Sequence, residues 1–175
     1  MKLKRLELEN FRQFYGTQEV FFAQEQPDNV TVIHGDNGAG KTTLLNAFTW
    51  LFYDDVSLPQ PDKIATERAL AEAEPNEKVR ARVSLEFAHD EAHYTAVRRQ
   101  VFQKQGADDL AGRRVEDEVT LEYIDSQGNH KERKNPNTAM QQILPQRLRE
   151  IFFFDGEDIS ELTADDGQDR VQEAI

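Results

Sequence analysis

Gly35, Asp36, Asn37, Gly38, Ala39, Gly40, Lys41 and Thr42 fit the pattern G-x-x-x-x-G-K-[ST]. That spacing is suited to holding the phosphates of a nucleoside triphosphate. A glycine-rich turn aims successive backbone N–H groups inward, because glycine tolerates the necessary backbone angles and carries no side chain to block an anion. Lys41 would reach the β- and γ-phosphates as a compact positive charge. The Thr42 hydroxyl would complete the shell of a Mg²⁺ ion bridging those phosphates, and Thr43 extends the same loop. ATP and Mg²⁺ are therefore the expected cofactors.

Such a loop needs a strand before it and a helix after it. Residues 29–34 are rich in β-branched types and predict a strand ending at the loop. Residues 41–53 predict a helix, with Leu44, Leu45, Phe48, Trp50, Leu51 and Phe52 giving it a broad apolar face. The positive end of that helix would point at the phosphates. Its aromatic residues, with Phe152 to Phe154 further on, fit a packed core better than a platform for nucleic-acid bases.

The chain has 175 residues, enough for one domain with a sizeable core. It contains no cysteine, which excludes disulfides, thiolate metal sites and a cysteine nucleophile. No apolar run approaches the length of a membrane span, and the N-terminal residues do not resemble a signal peptide, so a cytoplasmic protein without membrane partners is expected. The net charge of −12 argues against a protein that coats nucleic acid. Eight acidic residues against Arg170 concentrate much of that charge in residues 155–175. Small basic clusters remain at Arg98–Arg99, Arg113–Arg114, residues 131–134 and Arg147 with Arg149. They read as solvated surface or as parts of a DNA-facing strip.

Elsewhere the pattern predicts an antiparallel meander beside the phosphate loop. Strands are expected over 2–9 and 18–22, with a turn at Tyr15–Gly16, then over 79–87, 94–102 and 118–124, followed by a charged edge strand. A short helix is expected over about 62–73, with Asp62 as its N-cap. Another is expected over 137–150, broken near Pro145, which disfavours helix at the residue before it. Residues 151–154 predict a short buried strand that delivers Asp155 to its C-terminal end, where ligands of α/β sheets bind. His89 and His93 do not match the zinc-protease pattern, which has glutamate directly after the first histidine.

Three segments carry a family resemblance. Lys2-Leu3-Lys4-Arg5-Leu6-Glu7-Leu8-Glu9-Asn10-Phe11-Arg12-Gln13-Phe14 resembles the opening strand and N-F-R turn of SMC-like repair ATPases. Residues 32–45 resemble their phosphate loop. Phe152-Phe153-Phe154-Asp155-Gly156-Glu157 resembles the F-F-D-G-E segment of the DndD-like ATPases of DNA phosphorothioation. The resemblance implies an α/β P-loop NTPase fold: the N-terminal lobe of an ABC/SMC-type head, with a mixed sheet and an antiparallel meander. Residues 1–158 would form the lobe and 159–175 the start of a coiled-coil helix. Arg12 would approach the nucleotide. Asp155 stands where many relatives carry a glutamine that touches Mg²⁺ and the attacking water, so Lys41 and Asp155 are the catalytic candidates, and Thr42 and Asp155 the metal contacts. The implied partners are the C-terminal lobe of the same ATPase, a second head and, through the assembled complex, DNA. The residues leave a rival open: a self-contained small kinase or GTPase with Asp155 as its Walker B residue and Glu157 as a possible base. A nucleotide-gated module without hydrolysis is a third reading.

Overall fold

A computed structural model of the protein describes residues 1–24, 29–56, 59–149 and 153. Its main body is a six-stranded sheet in the order β2-β1-β3-β4-β5-β6. The strands are β1 (Lys2–Phe11), β2 (Phe14–Phe21), β3 (Lys78–His89), β4 (Ala92–Gln103), β5 (Arg113–Ile124) and β6 (His130–Glu132). Every pairing is antiparallel. The expected mixed sheet is thus, among the described residues, an antiparallel one.

Alternation along each strand separates two faces. Leu6 and Leu8 of β1, with Ala81, Val83, Leu85 and Phe87 of β3, are buried on the inner face. The opposite face carries interlocked charges. Arg5 pairs with Glu7, Glu19 and Glu86, Arg82 with Glu7, Arg80 with Glu9, and Arg99 with Glu118. The β3–β4 connection is a two-residue turn in which Asp90 (φ 46°) and Glu91 (φ 62°) are both left-handed, as a hairpin turn of this twist requires. The register there pairs His89 with Ala92 and Ala88 with His93.

Helix α1 (Lys41–Tyr53) matches the expected span and lies on the inner face. Trp50 packs its ring 5.2 Å from that of Phe11, and Phe52 lies 6.2 Å from Phe87. Phe48, Trp50 and Phe52 are buried, so these aromatics form core. The helix ends at Asp54, whose N–H still bonds the Trp50 carbonyl and whose left-handed φ of 57° turns the following chain away from the helix. Helix α3 (Pro136–Ile143) begins with proline in the first turn, where the missing N–H costs nothing, and stops before Pro145. A short 3-10 turn, Gln146–Leu148, follows.

Several expectations are corrected. The turn between β1 and β2 falls at Arg12 and Gln13; Tyr15 and Gly16 belong to β2. Arg12 takes a left-handed φ of 56°, which no composition rule singles out for arginine. Helix α2 covers only Glu67–Glu72 and is capped by Thr66, so Asp62 caps nothing. The loop ahead of it is anchored by backbone bonds of Ile64 and Thr66 to Arg12 and Asn10, which pre-empt a longer helix. No strand forms over residues 29–34. Val30 and Val32 are each 75% exposed there, and β-propensity without a neighbouring strand to pair with does not make a ladder. The expected strand over 151–154 lies outside the described residues except for Phe153, which forms a bend. Its ring stacks 5.8 Å from Phe48. Asp155, Glu157 and the expected coiled-coil start at 159–175 also lie outside the described residues.

Candidate functional site

The glycine-rich segment forms a loop at the N-terminus of α1, as its spacing predicts. The Ala39 N–H donates to the Asp36 carbonyl at 3.1 Å and closes a tight turn. Gly38, third in that turn, has φ 83°, a value the turn allows cheaply only to glycine. Gly40 caps α1 with φ 105°. A Cβ at Gly40 would lie 2.7 Å from Gln13 Nε2 and 2.9 Å from Phe14 Cζ, so glycine is also required by space. Residues 34–39 are exposed, which leaves the loop open to a ligand from solvent.

Lys41 is the first residue of the helix. Its ammonium turns back over the loop and donates to the carbonyls of Gly35 at 2.9 Å and Asp36 at 3.0 Å. This places a positive charge above a loop at a helix N-terminus, whose own partial charge is positive. The donor set fits a polyanion: a lysine ammonium, helix-terminal N–H groups, that of Thr43 among them, and the hydroxyl of Thr42. Asp36, Asn37, Gly38, Ala39 and Gly40 supply the backbone of that cradle. Thr42 sits at the second helical position, and its carbonyl accepts from Asn46 Nδ2 at 2.9 Å, which ties the first turn of α1. Thr43 is buried, and its hydroxyl donates to Gln13 Oε1 at 2.7 Å.

Arg12 is placed beside the loop following α1. Its guanidinium donates to the carbonyls of Pro59 at 2.9 Å and of Gln60 and Lys63 at 2.8 Å. Burial lowers its pKa, though far too little to discharge an arginine. The residue of this turn that touches the phosphate loop is Gln13, which spacing did not single out. Nothing in the linear pattern marks it, because the contact depends on the left-handed Arg12 turning the following side chain toward α1.

The basic clusters resolve differently from one another. Arg98 is interior: it donates to Asn137 Oδ1 at 2.9 Å and to the Leu51 carbonyl at 3.3 Å, and lies over Trp50. It therefore belongs to no solvent-facing strip. Arg99 pairs with Glu118, Arg114 with Asp117, Lys131 with Asp125, and Arg149 with Asp55. Among the described residues no group of three or more His, Asp or Glu side chains could hold a metal, and no helix is long and apolar enough to cross a membrane.

Comparison with known proteins accords with this geometry. A family model described as an AAA domain matches residues 5–175. No curated protein matches the chain. A glycine-rich loop closed by left-handed glycines, a lysine folded over it and an apolar helix buried against a sheet are parts of a nucleotide-binding site, and over nearly its whole length this chain belongs to the AAA domain family, as a member of SMC-like type.

Proposed function

We propose that the chain is the N-terminal lobe of a DndD-like ATPase head that binds ATP–Mg²⁺ through residues 35–43. The observation that carries the reading is the Lys41 ammonium held 2.9 Å and 3.0 Å from two carbonyls at the start of the phosphate loop. Neutral carbonyls are weak partners for an ammonium, and a phosphate oxygen is a stronger one. Lys41 is thus pre-placed and exchanges its partners when nucleotide arrives. The backbone of Asp36 to Gly40 cradles the β-phosphate, the Ala39 N–H becoming available once it leaves the Asp36 carbonyl, and Thr43 borders the α-phosphate end. Mg²⁺, held by Thr42 and Asp155, would neutralise charge developing on the transferred phosphoryl group.

The exposed segment 29–33 supports a lobe completed by other chain. Val30, Val32 and Ile33 are β-formers that lack a strand beside them among the described residues. A C-terminal lobe would supply that strand together with the groups that activate water, and two heads would close over two nucleotides. The assembly acts on DNA, in sulfur modification and restriction or in double-strand break repair.

The test is binding of a fluorescent ATP analogue with Mg²⁺, followed by turnover with and without DNA. The wild-type lobe is expected to bind nucleotide and to hydrolyse little. Lys41→Ala is expected to weaken binding by about 100-fold or more, as loss of a charge-assisted contact to phosphate predicts. Steady turnover by the isolated lobe would favour a self-contained NTPase instead.

A further inference from the structure

The β1–β2 turn reaches the phosphate loop from the sheet, and its backbone is strained where it does so. Asn10 (φ 47°) and Arg12 (φ 56°) are both left-handed. Strain of this kind persists only where the surroundings over-determine it, and it gathers at working parts of proteins. Here both residues are pinned. The Asn10 side chain accepts from the Gly16 N–H at 2.9 Å and donates to the Arg80 carbonyl at 3.2 Å. Arg12 holds three carbonyls of the loop after α1, and its own N–H donates to Ile64 at 2.8 Å.

Between the pinned residues and β2 stands Gln13, exposed to solvent. A flexible exposed side chain normally gains little from one fixed geometry, because ordering it costs rotamer entropy. This one is ordered against the phosphate loop. Its Oε1 accepts from the Thr43 hydroxyl at 2.7 Å. Its Nε2 lies 2.7 Å from where a Gly40 Cβ would stand. One amide therefore touches both residues that flank Lys41 and Thr42.

We propose that Gln13 is a positioning residue for nucleotide binding: its amide fixes the Thr43 hydroxyl and roofs Gly40, setting the junction at which the phosphate loop becomes α1. This rests on the phosphate-site reading above. Gln13 is itself exposed and lies outside the apolar core, so its loss is expected to lower nucleotide affinity more than fold stability, with water reaching the Thr43 hydroxyl in its place. The effect passes through the Thr43 hydroxyl and vanishes where that hydroxyl is absent.

The experiment uses the full-length protein with Gln13→Ala, Thr43→Val, Thr43→Ser and the combinations of Gln13→Ala with each Thr43 variant. Affinity for a fluorescent ATP analogue with Mg²⁺ and the melting temperature without nucleotide are both measured. Gln13→Ala is expected to weaken binding by about fivefold to tenfold, the scale of one hydrogen bond that orders a site, with Tm held within about 2 °C. On Thr43→Val it is expected to add less than about twofold, while on Thr43→Ser its full effect returns, as coupled neighbours require. Undiminished binding by Gln13→Ala overturns the proposal. So do independent, multiplying losses from Gln13→Ala and Thr43→Val, or a loss of affinity that merely follows a fall in Tm. A wild-type protein that binds no nucleotide overturns the phosphate-site reading itself, an outcome distinguishable from the others.

Discussion

Arg98 Nη1 stands 3.3 Å from Asp54 Oδ1, joining the middle of β4 to the residue that ends α1. The arginine is 3% exposed, while the aspartate side chain is half exposed. Burial lowers the arginine pKa, and the charge of Asp54 partly restores it. The same guanidinium bonds to Leu51 and Asn137, so it fastens α1, α3 and the sheet at one point. Arg98→Ala is expected to destabilise the fold by about 2–4 kcal/mol, through lost packing and an unsatisfied buried carbonyl. Asp54→Asn is expected to cost under about 1 kcal/mol, because that partner is already wet. Urea unfolding of the two variants checks the contrast.

The two left-handed glycines of the phosphate loop predict unequal tolerance. Gly38→Ala meets open space and faces only its φ of 83°. It should cost about 1–2 kcal/mol, the penalty of a left-handed alanine. Gly40→Ala adds contacts under 3.0 Å to Gln13 and Phe14. It should cost about 1 kcal/mol more, since both neighbours must shift. Thermal melts of the two variants, compared with wild type, decide this.

Tyr53 predicts an alkaline limb of stability. Burial raises its pKa from 10.0 to about 12, although nearby Arg149 acts in the opposite direction. The folded chain holds the phenol proton more tightly than the unfolded chain does. Its contribution is therefore fully present below pH 10.0 and is lost as pH rises from there through about 12. Tyr53→Phe should flatten that part of the stability curve while removing the 3.2 Å bond from the phenol to the Leu144 carbonyl. Denaturant midpoints measured across the alkaline range, with phenolate absorbance alongside, test it.

Val32→Asp separates the lobe from its proposed assembly. Val32 is 75% exposed, so the change should alter stability of the lobe by no more than about 0.5 kcal/mol. If the segment pairs with a strand of another lobe, ATP turnover by the full-length protein should fall by at least about tenfold, since an aspartate in a buried strand is costly. Unchanged turnover would remove the role given to this segment.

The loop and helix of the candidate site were legible because their signals are local. The phosphate loop and α1 follow from Gly35 to Tyr53, where glycine placement and apolar spacing agree. The meander was legible too: Val79, Ala81, Val83, Leu85 and Phe87 alternate cleanly because one face of β3 is buried. What failed depended on partners distant in the chain. Residues 29–34 have strand composition, but pairing decides strands, and no neighbour is present among the described residues. Arg98 looked like half of a surface cluster because its partners come from two distant segments, Leu51 and Asp54 at the end of α1 and Asn137 in α3. Gln13 was missed for the same reason. Its contact with Thr43 is made beside a left-handed Arg12, a backbone angle that residue type does not encode.

The β3–β4 hairpin also orders events during synthesis. Its strands are joined by two residues and β5 follows directly, so these contacts close short loops and form quickly. The phosphate loop and α1 leave the ribosome earlier, yet nine of the thirteen residues of α1 are buried in the finished protein. Until the meander exists, that apolar helix has only residues of the first hairpin region, such as Phe11 and Phe22, to cover it. A nascent chain stalled shortly after residue 53 would therefore be a strong substrate for chaperones, whereas one released beyond residue 124 could already shelter the helix.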